Sequence, residues 1–211
     1  MPPRQTPTTR PAAQGAVRSA LIAERAEATR AKLIAVARRV FVEKGYFNTG
    51  TEEIVQEAKV TRGALYHHFT DKKALFLAVF EAVEQDLLAN SGQLVATDSF
   101  ERLRTGLTGF LDASLTPEVQ RILLIDGPAV LGWQEWRTLE AQYGLGAIQG
   151  LLEAAITEGT LRPQPVSALA HILLASVDEA ALFIANADDP QVARELAVGA
   201  MESLLGGLAS R

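Results

Sequence analysis

The chain has no cysteine among its 211 residues. That excludes disulfides, thiolate metal sites and a cysteine nucleophile, and nothing argues for an oxidising compartment. Histidine is scarce too, limited to His67, His68 and His171. His67 and His68 are adjacent, so on a helix they point apart and make a poor metal pair. No nucleophile elbow, phosphate loop or dinucleotide-binding fingerprint is present, so the sequence offers no catalytic residue, no metal site and no cofactor. No apolar run approaches the ~20 residues a membrane helix needs. Residues 1–22 lack an apolar core of secretory length, so the expected location is the cytoplasm. Strand-like alternation, repeats and low-complexity runs are also missing.

What is present is charge, unevenly placed. The formal net charge is −5. Residues 1–73 carry 13 Lys+Arg against 7 Asp+Glu, a balance of +6, and residues 74–211 carry 7 against 18, a balance of −11. A basic first third on an acidic remainder suits a polyanion-binding module attached to something that does not bind polyanions. Residues 1–22, rich in Pro, Thr and Ala with three arginines and no acid, read as a disordered basic arm. It either touches DNA phosphates or is a solvated tail.

From about 23 to 44, Leu33, Ile34, Ala37, Val40 and Phe41 fall on one helical stripe that Gly45 stops. Arg30, Lys32, Arg38 and Arg39 lie on other faces, near phosphates or simply solvated. A short helix then starts on Thr51, whose hydroxyl can cap it, with Glu52 and Glu53 in the first turn where the helix dipole favours acids. A turn runs through Lys59 and Val60, and a second short helix, capped by Thr61, closes on Phe69. Two helices joined so tightly match the helix-turn-helix pattern, whose second helix enters a DNA major groove. In that helix Leu65 and Phe69 are four apart and face inward. Arg62, Gly63, Ala64, Tyr66 and His67 are left outside. The small residues allow close backbone approach, and Arg62, Tyr66 and His67 can donate hydrogen bonds to bases or phosphates. Lys72 opens the next helix with Asp71 as its cap, which suits a phosphate.

The run GYFNTGTEEIVQEAKVTRGALYHHFTDKKALF resembles the N-terminal DNA-binding domain of tetracycline-repressor (TetR) family regulators. Gly45, Tyr46, Thr51, Ile54, Ala58, Val60, Thr61, Gly63, Leu65, Tyr66, His68, Phe69, Lys72 and Leu75 fall on the family pattern over about fifty residues. By that resemblance Thr51, Thr61, Arg62, Tyr66, His67 and Lys72 are DNA contacts. Lys59 departs from it, standing where the family usually has Gly in the turn. If its backbone is left-handed, lysine there costs ~1 kcal/mol against glycine.

The remainder reads as helical throughout. A helix from 72 to about 90 carries Leu75, Phe76, Val79, Phe80, Val83 and Leu87 on one stripe, and residues 92–97 form a connector. Asp98 and Glu101 resemble a capping pair. A short helix from Thr116-Pro117 is expected to break at Gly127-Pro128. Longer ones cover 133–158, 165–187 and 190–208. The expected fold is all-α, about nine helices. A disordered arm (1–22) and a helix-turn-helix domain (23–73) precede an effector-binding and dimerisation domain (74–211).

The last two helices are rich in small residues, among them Ala175, Ala181, Ala193, Ala197 and Gly199, with Val192, Leu196, Leu204 and Leu205 adding apolar area. They form either a monomer core or, as the resemblance implies, a homodimer interface over roughly 165–208. A two-fold dimer would read two half-sites of a palindromic operator on double-stranded DNA. For the small-molecule effector that the resemblance implies, Trp133, Trp136 and Tyr143 lie roughly on one helix side, with Phe110 and Phe183 on others. Asp126, His171 and Asp178 are polar residues among apolar neighbours, costly to bury unpartnered. An apolar lining with a few placed polar groups is what a small-molecule site looks like. The expected function is a ligand-responsive transcriptional regulator, most readily a repressor. An enzyme, a helical adaptor without DNA binding, and an activator are the alternatives.

Overall fold

The computed structural model describes residues 11–91 and 97–209. Among the described residues the chain is all-helical, and its one extended pairing is an isolated antiparallel bridge between Leu161 and Ala209. Among the described residues nine helices follow one another. The first four are α1 (Pro11–Lys44), α2 (Thr51–Ala58), α3 (Arg62–His68) and α4 (Lys72–Ser91). Next come α5 (Ser99–Ala113) and α6, in which a π-helical stretch Val119–Asp126 runs into an α-helical turn Gly127–Leu131. Helix α7 comprises Trp133–Glu140, a π turn Ala141–Leu145 and Gly146–Glu158. The chain finishes with α8 (Val166–Ala185) and α9 (Pro190–Gly206).

Helix α1 begins well before residue 23, so the expected disorder of 1–22 is corrected for residues 11–22; residues 1–10 lie outside the described residues. The cause is local. Pro11 sits at the first helical position, where its missing N–H costs nothing, and the Ala-, Arg- and Leu-rich run behind it favours helix. The connector at 92–96 also falls outside the described residues.

The first three helices pack around one cluster. Leu33, Ala37, Phe41, Ile54, Ala58, Leu65 and Phe69 are all buried, and α4 continues the cluster with Leu75, Phe76, Val79 and Phe80. Between α2 and α3 the turn closes as the sequence pattern requires, and Thr61 accepts the Ala64 N–H at 3.1 Å. Thr51 does not cap α2. Gly50 holds the cap position in extended backbone with no side-chain bond, and Thr51 is the first helical residue. Lys59 is left-handed, φ 52°.

Helix α4 belongs to both halves of the molecule, packing on α1 at its start and on α5, α6 and α7 further along. The expected break at Gly127-Pro128 does not occur. Pro128 lacks the N–H that would serve the Leu123 carbonyl in a π ladder, and the Trp136 indole N–H supplies that bond instead at 3.0 Å. Close packing keeps residue 127 a glycine: a Cβ there would lie 3.0 Å from the Phe80 ring and 3.1 Å from both the Ile122 carbonyl and Trp136.

Helix α8 is 20 residues long with mean hydropathy 1.7 over its most apolar window. That corrects the expectation that no run reaches membrane length. Its Ala170, Leu173, Leu174, Val177, Ala181 and Ile184 are buried against the other helices, and Asp178 pairs there with Arg137.

Two backbone positions make opposite predictions from one rule. Gly45, at φ +78°, ends α1 with its missing Cβ occupied by the Arg121 guanidinium. Gly45→Ala therefore lowers stability by ~1–2 kcal/mol in urea unfolding, from left-handed strain and the displaced arginine. Lys59→Gly, at φ 52°, raises it by ~1 kcal/mol in the same measurement.

Candidate nucleic-acid interface and ligand cavity

Helix α3 is held from behind. Leu65 is fully buried and Phe69 nearly so, with the Arg30 guanidinium 5.4 Å from the Phe69 ring centre. The opposite side is open: Thr61, Arg62, Gly63, Tyr66 and His67 are exposed, and Ala64 is half-buried. A Cβ on Gly63 would meet nothing nearer than the Thr61 hydroxyl at 3.9 Å, so packing within the chain leaves this side free. Arg62 lies 5.5 Å from the Tyr66 ring centre and 3.5 Å from the Glu52 carboxylate, its side chain 70% exposed. An exposed pair at that distance is weak and gives way to a stronger anion. Thr51 is half-buried at the start of α2. Lys59 is exposed, and no carboxylate pairs with it among the described residues.

Lys72, which the sequence directed toward a phosphate, turns inward, as does Arg38, which the sequence left between phosphates and solvent. Lys72 donates to the carbonyls of Tyr46 at 2.9 Å and Thr49 at 3.0 Å and sits 4.1 Å from the Tyr46 ring centre. Burial lowers its pKa. Its ammonium therefore pins the loop between α1 and α2, and only its position at the start of α4, capped by Asp71 at 2.7 Å, remains as read. Arg38 bridges α1 to Glu118 at 2.7 Å and to Asp86 at 2.5 Å. Both carboxylates raise its pKa, the Glu118 hydrogen bond contributing most.

In the second domain α4, α5, α7 and α8 enclose a cavity of about 720 Å³, well inside the range for small-molecule sites. Of the eight residues nominated from the sequence, it is lined by Phe110 and Asp178. The other six stand elsewhere. Trp136 is fully buried in the core, and Trp133 is 61% exposed, 5.0 Å from it between ring centres. Asp126 is buried at the joint between the domains, accepting the Tyr46 N–H at 2.7 Å and the Arg121 side chain at 3.2 Å. Tyr143 turns toward α4, where burial foremost and then Glu81 raise its pKa. His171 and Phe183 lie on the outer face of α8, His171 bonded to the Ser167 carbonyl at 2.8 Å.

The residues the sequence reading missed are Glu84 and Glu140. Both line the cavity and are buried, and one carboxyl oxygen of each has no hydrogen-bond partner. Burial and the mutual proximity of these acids favour the protonated form of both. Burial, then the neighbouring Asp178 charge, pushes Glu84 up to about 7. Burial and the Glu84 and Asp178 charges push Glu140 well above the carboxylate range. Asp178 rises to about 6 through burial, against the pull of Arg137. That arginine lies 6.0 Å and 5.9 Å from the Trp133 and Trp136 rings. A signal was present: Glu84 is four residues after Phe80 and Glu140 four after Trp136, each an acid in core register.

Known proteins show the same two-part layout. Residues 33–79 match the family described as bacterial regulatory proteins, tetR family, and residues 100–208 match the tetracyclin repressor-like C-terminal domain. A TetR-family transcriptional regulator from Pectobacterium atrosepticum, known from its crystal structure, superposes with TM-score 0.81 at 36% identity. That alignment covers 89% of this chain and 97% of that one. The transposon Tn10 TetC protein of Escherichia coli is 28% identical over 161 residues, 71% of this chain and 77% of that protein. The HTH-type transcriptional regulator AcrR of Shigella flexneri is 35% identical over 108 residues, 48% of each.

The acid cluster gives the fold a pH dependence of defined sign. Glu84 carries a folded pKa of about 7 against an ordinary 4.5, so the folded chain binds its proton more tightly than the unfolded chain. Between pH 4.5 and about 7 this residue's contribution makes stability fall as pH rises, and Asp178 acts the same way up to about 6. Urea unfolding at pH 5 and pH 7.5 checks it: Glu84→Gln removes much of the loss seen in the unsubstituted protein.

Proposed function

Because this chain belongs to the TetR family of bacterial transcriptional regulators, we propose that it is a homodimeric repressor of a palindromic operator, released by a small-molecule effector. DNA binding and transcriptional regulation come with the family. The observation that carries the finer reading is the free side of α3, where Thr61, Arg62, Tyr66 and His67 are exposed on a helix anchored by Leu65 and Phe69. Such a helix presents hydrogen-bond donors to a major groove while its backbone position stays fixed. Its place of work would be the cytoplasm, with the DNA.

Dimerisation is supported by the outer faces of the last two helices. Ile172 and Phe183 on α8, and Val192, Leu196 and Leu204 on α9, are each more than half exposed. Those residues recur at helical spacing, so each helix carries an apolar stripe on its open side. Leu205, counted from the sequence with that surface, instead faces the core at 0% exposure. A repressor mode is supported by the match of the second domain to a tetracyclin repressor-like domain. The apolar cavity with buried carboxyls is the place an effector would enter. Its grip on DNA is reached through α4, which runs from the cavity to the loop behind α3.

Mobility shift on the DNA upstream of this protein's own gene tests the assignment. Arg62→Ala and Tyr66→Ala each weaken binding by roughly tenfold to 100-fold. Wild-type affinity and salt dependence in both variants would place the groove-facing side elsewhere. Leu196→Glu shifts the protein from dimer to monomer in sedimentation and weakens operator binding with it.

A further inference from the structure

We propose that the cavity takes an organic cation, an amine or ammonium head on an apolar body, with the head seated between Glu84 and Glu140. The inference deepens the reading of this cavity as the effector site and rests on it. Two features of the cavity walls carry it.

The first is the pair of unpartnered oxygens. Glu140 is 4% exposed and Glu84 5%, yet one oxygen of each carboxyl lacks a partner while both residues line the cavity. Buried acceptors without donors are costly, and a group that supplies N–H donors and positive charge relieves both deficits together. An anion would add a third repulsion, and a neutral alcohol would supply one donor without charge. A metal is a poor match, because among the described residues no group of three His, Cys, Asp or Glu is arranged to hold one.

The second is the balance of charge around the pair. Glu84 comes from α4 and Glu140 from α7; Asp178 of α8 faces them both. Arg137, the cation that approaches this trio, is committed to Asp178. On α5, Asp112 also lines the cavity and is held by Arg194 at 2.5 Å, while Arg102 lines it with a 3.4 Å bond to Ser99. Glu81 and Glu84 of α4 both act on Tyr143 of α7. Once either carboxyl ionises, the net sign at the pair is negative. Around it the wall is apolar, with Leu103, Leu107, Phe110, Ile148, Leu151 and Leu174 available to an aliphatic or aromatic body.

Chemistry follows from the proton on Glu84. In the empty cavity burial keeps a proton on Glu84 up to about pH 7. An entering ammonium replaces that proton, which leaves to solvent, so cation affinity rises with pH until the pair is ionised.

Calorimetry on the full-length protein with decylammonium, decanol and decanoate, matched in body and differing in head, decides the point. Decylammonium is expected to bind about tenfold or more tighter than decanol, with decanoate weakest. Its affinity rises several-fold from pH 6.5 to pH 8 while that of decanol stays level. Glu140→Gln and Glu84→Gln each abolish the preference for the cation and leave decanol binding within about threefold, which also shows that the variants fold. Equal binding of decanol and decylammonium, a cation preference that survives both substitutions, or no binding by any of the three would overturn the proposal. Operator release is read separately by mobility shift. Decylammonium that binds as expected but leaves the operator complex intact sustains the cation site and removes the effector reading instead.

Discussion

Lys72 spends its charge inside the molecule, and much else depends on where it spends it. Its ammonium holds the Tyr46 and Thr49 carbonyls at 2.9 and 3.0 Å, closing the loop that follows α1. Thr49 is buried in that loop and donates its hydroxyl to the Gly45 carbonyl at 2.8 Å. The Tyr46 N–H points the other way, to Asp126 of α6. One short loop is thus gripped by the first residue of α4 and by the second domain together. Since α2 and α3 follow directly from it, these few charge-assisted bonds, each worth more than a neutral hydrogen bond, join the buried anchors Leu65 and Phe69 in fixing the attitude of α3.

The same helix that begins with Lys72 carries Glu84 twelve residues on, about 18 Å along a straight α-helix. One end is tied to the DNA-binding unit and the other borders the cavity. Between them lie Phe76, Val79 and Phe80, all fully buried, so neither end can shift without disturbing a packed core. Helix α6 is pressed against this rod at Gly127, and α7 against α6 through Trp136. Both π-helical stretches lie in that layer, one ending on Asp126 and the other starting just after Glu140. π turns occur frequently at functional sites. Here they separate the two ends of the α6–α7 layer into a joint and a cavity wall.

The sequence made the helices and their inner faces legible, because a stripe at 3.6-residue spacing needs only the order of residues. The caps at Thr61 and Asp98 and the anchors Leu65 and Phe69 were readable for the same reason. What could not be read was direction beyond the backbone. Lys72 and Arg38 have long side chains that swing several ångströms, and only the folded neighbourhood shows that carbonyls or carboxylates within the chain claim them. The cavity was harder still. Periodicity identifies Trp136 and Phe110 equally as inward residues, but not which inward face meets another helix and which meets a void. Polar residues among apolar neighbours were the right signal applied to the wrong members. Asp126 serves the joint and His171 the outer surface, while Glu84 and Glu140 were passed over inside stripes taken as wholly apolar.

On the proposed reading, an effector must bind the DNA-incompetent arrangement better than the competent one, since a ligand with equal affinity for both shifts nothing. Couplings of this kind are typically ~1–3 kcal/mol. That is about the worth of one hydrogen bond to a charged group. Among the contacts crossing the joint, the Tyr46 N–H to the buried Asp126 at 2.7 Å is of that type, while Arg38 reaches the more exposed Glu118 and Asp86 in weaker pairs. Asp86 sits on α4 two residues past Glu84, so a displacement of Glu84 by a bound ligand moves an anchor of Arg38 with it. Loss of one such bond in the ligand-bound arrangement would supply the whole coupling. No refolding of either domain is required, and the packed core of α4 makes a small shift of the entire rod cheaper than a bend within it.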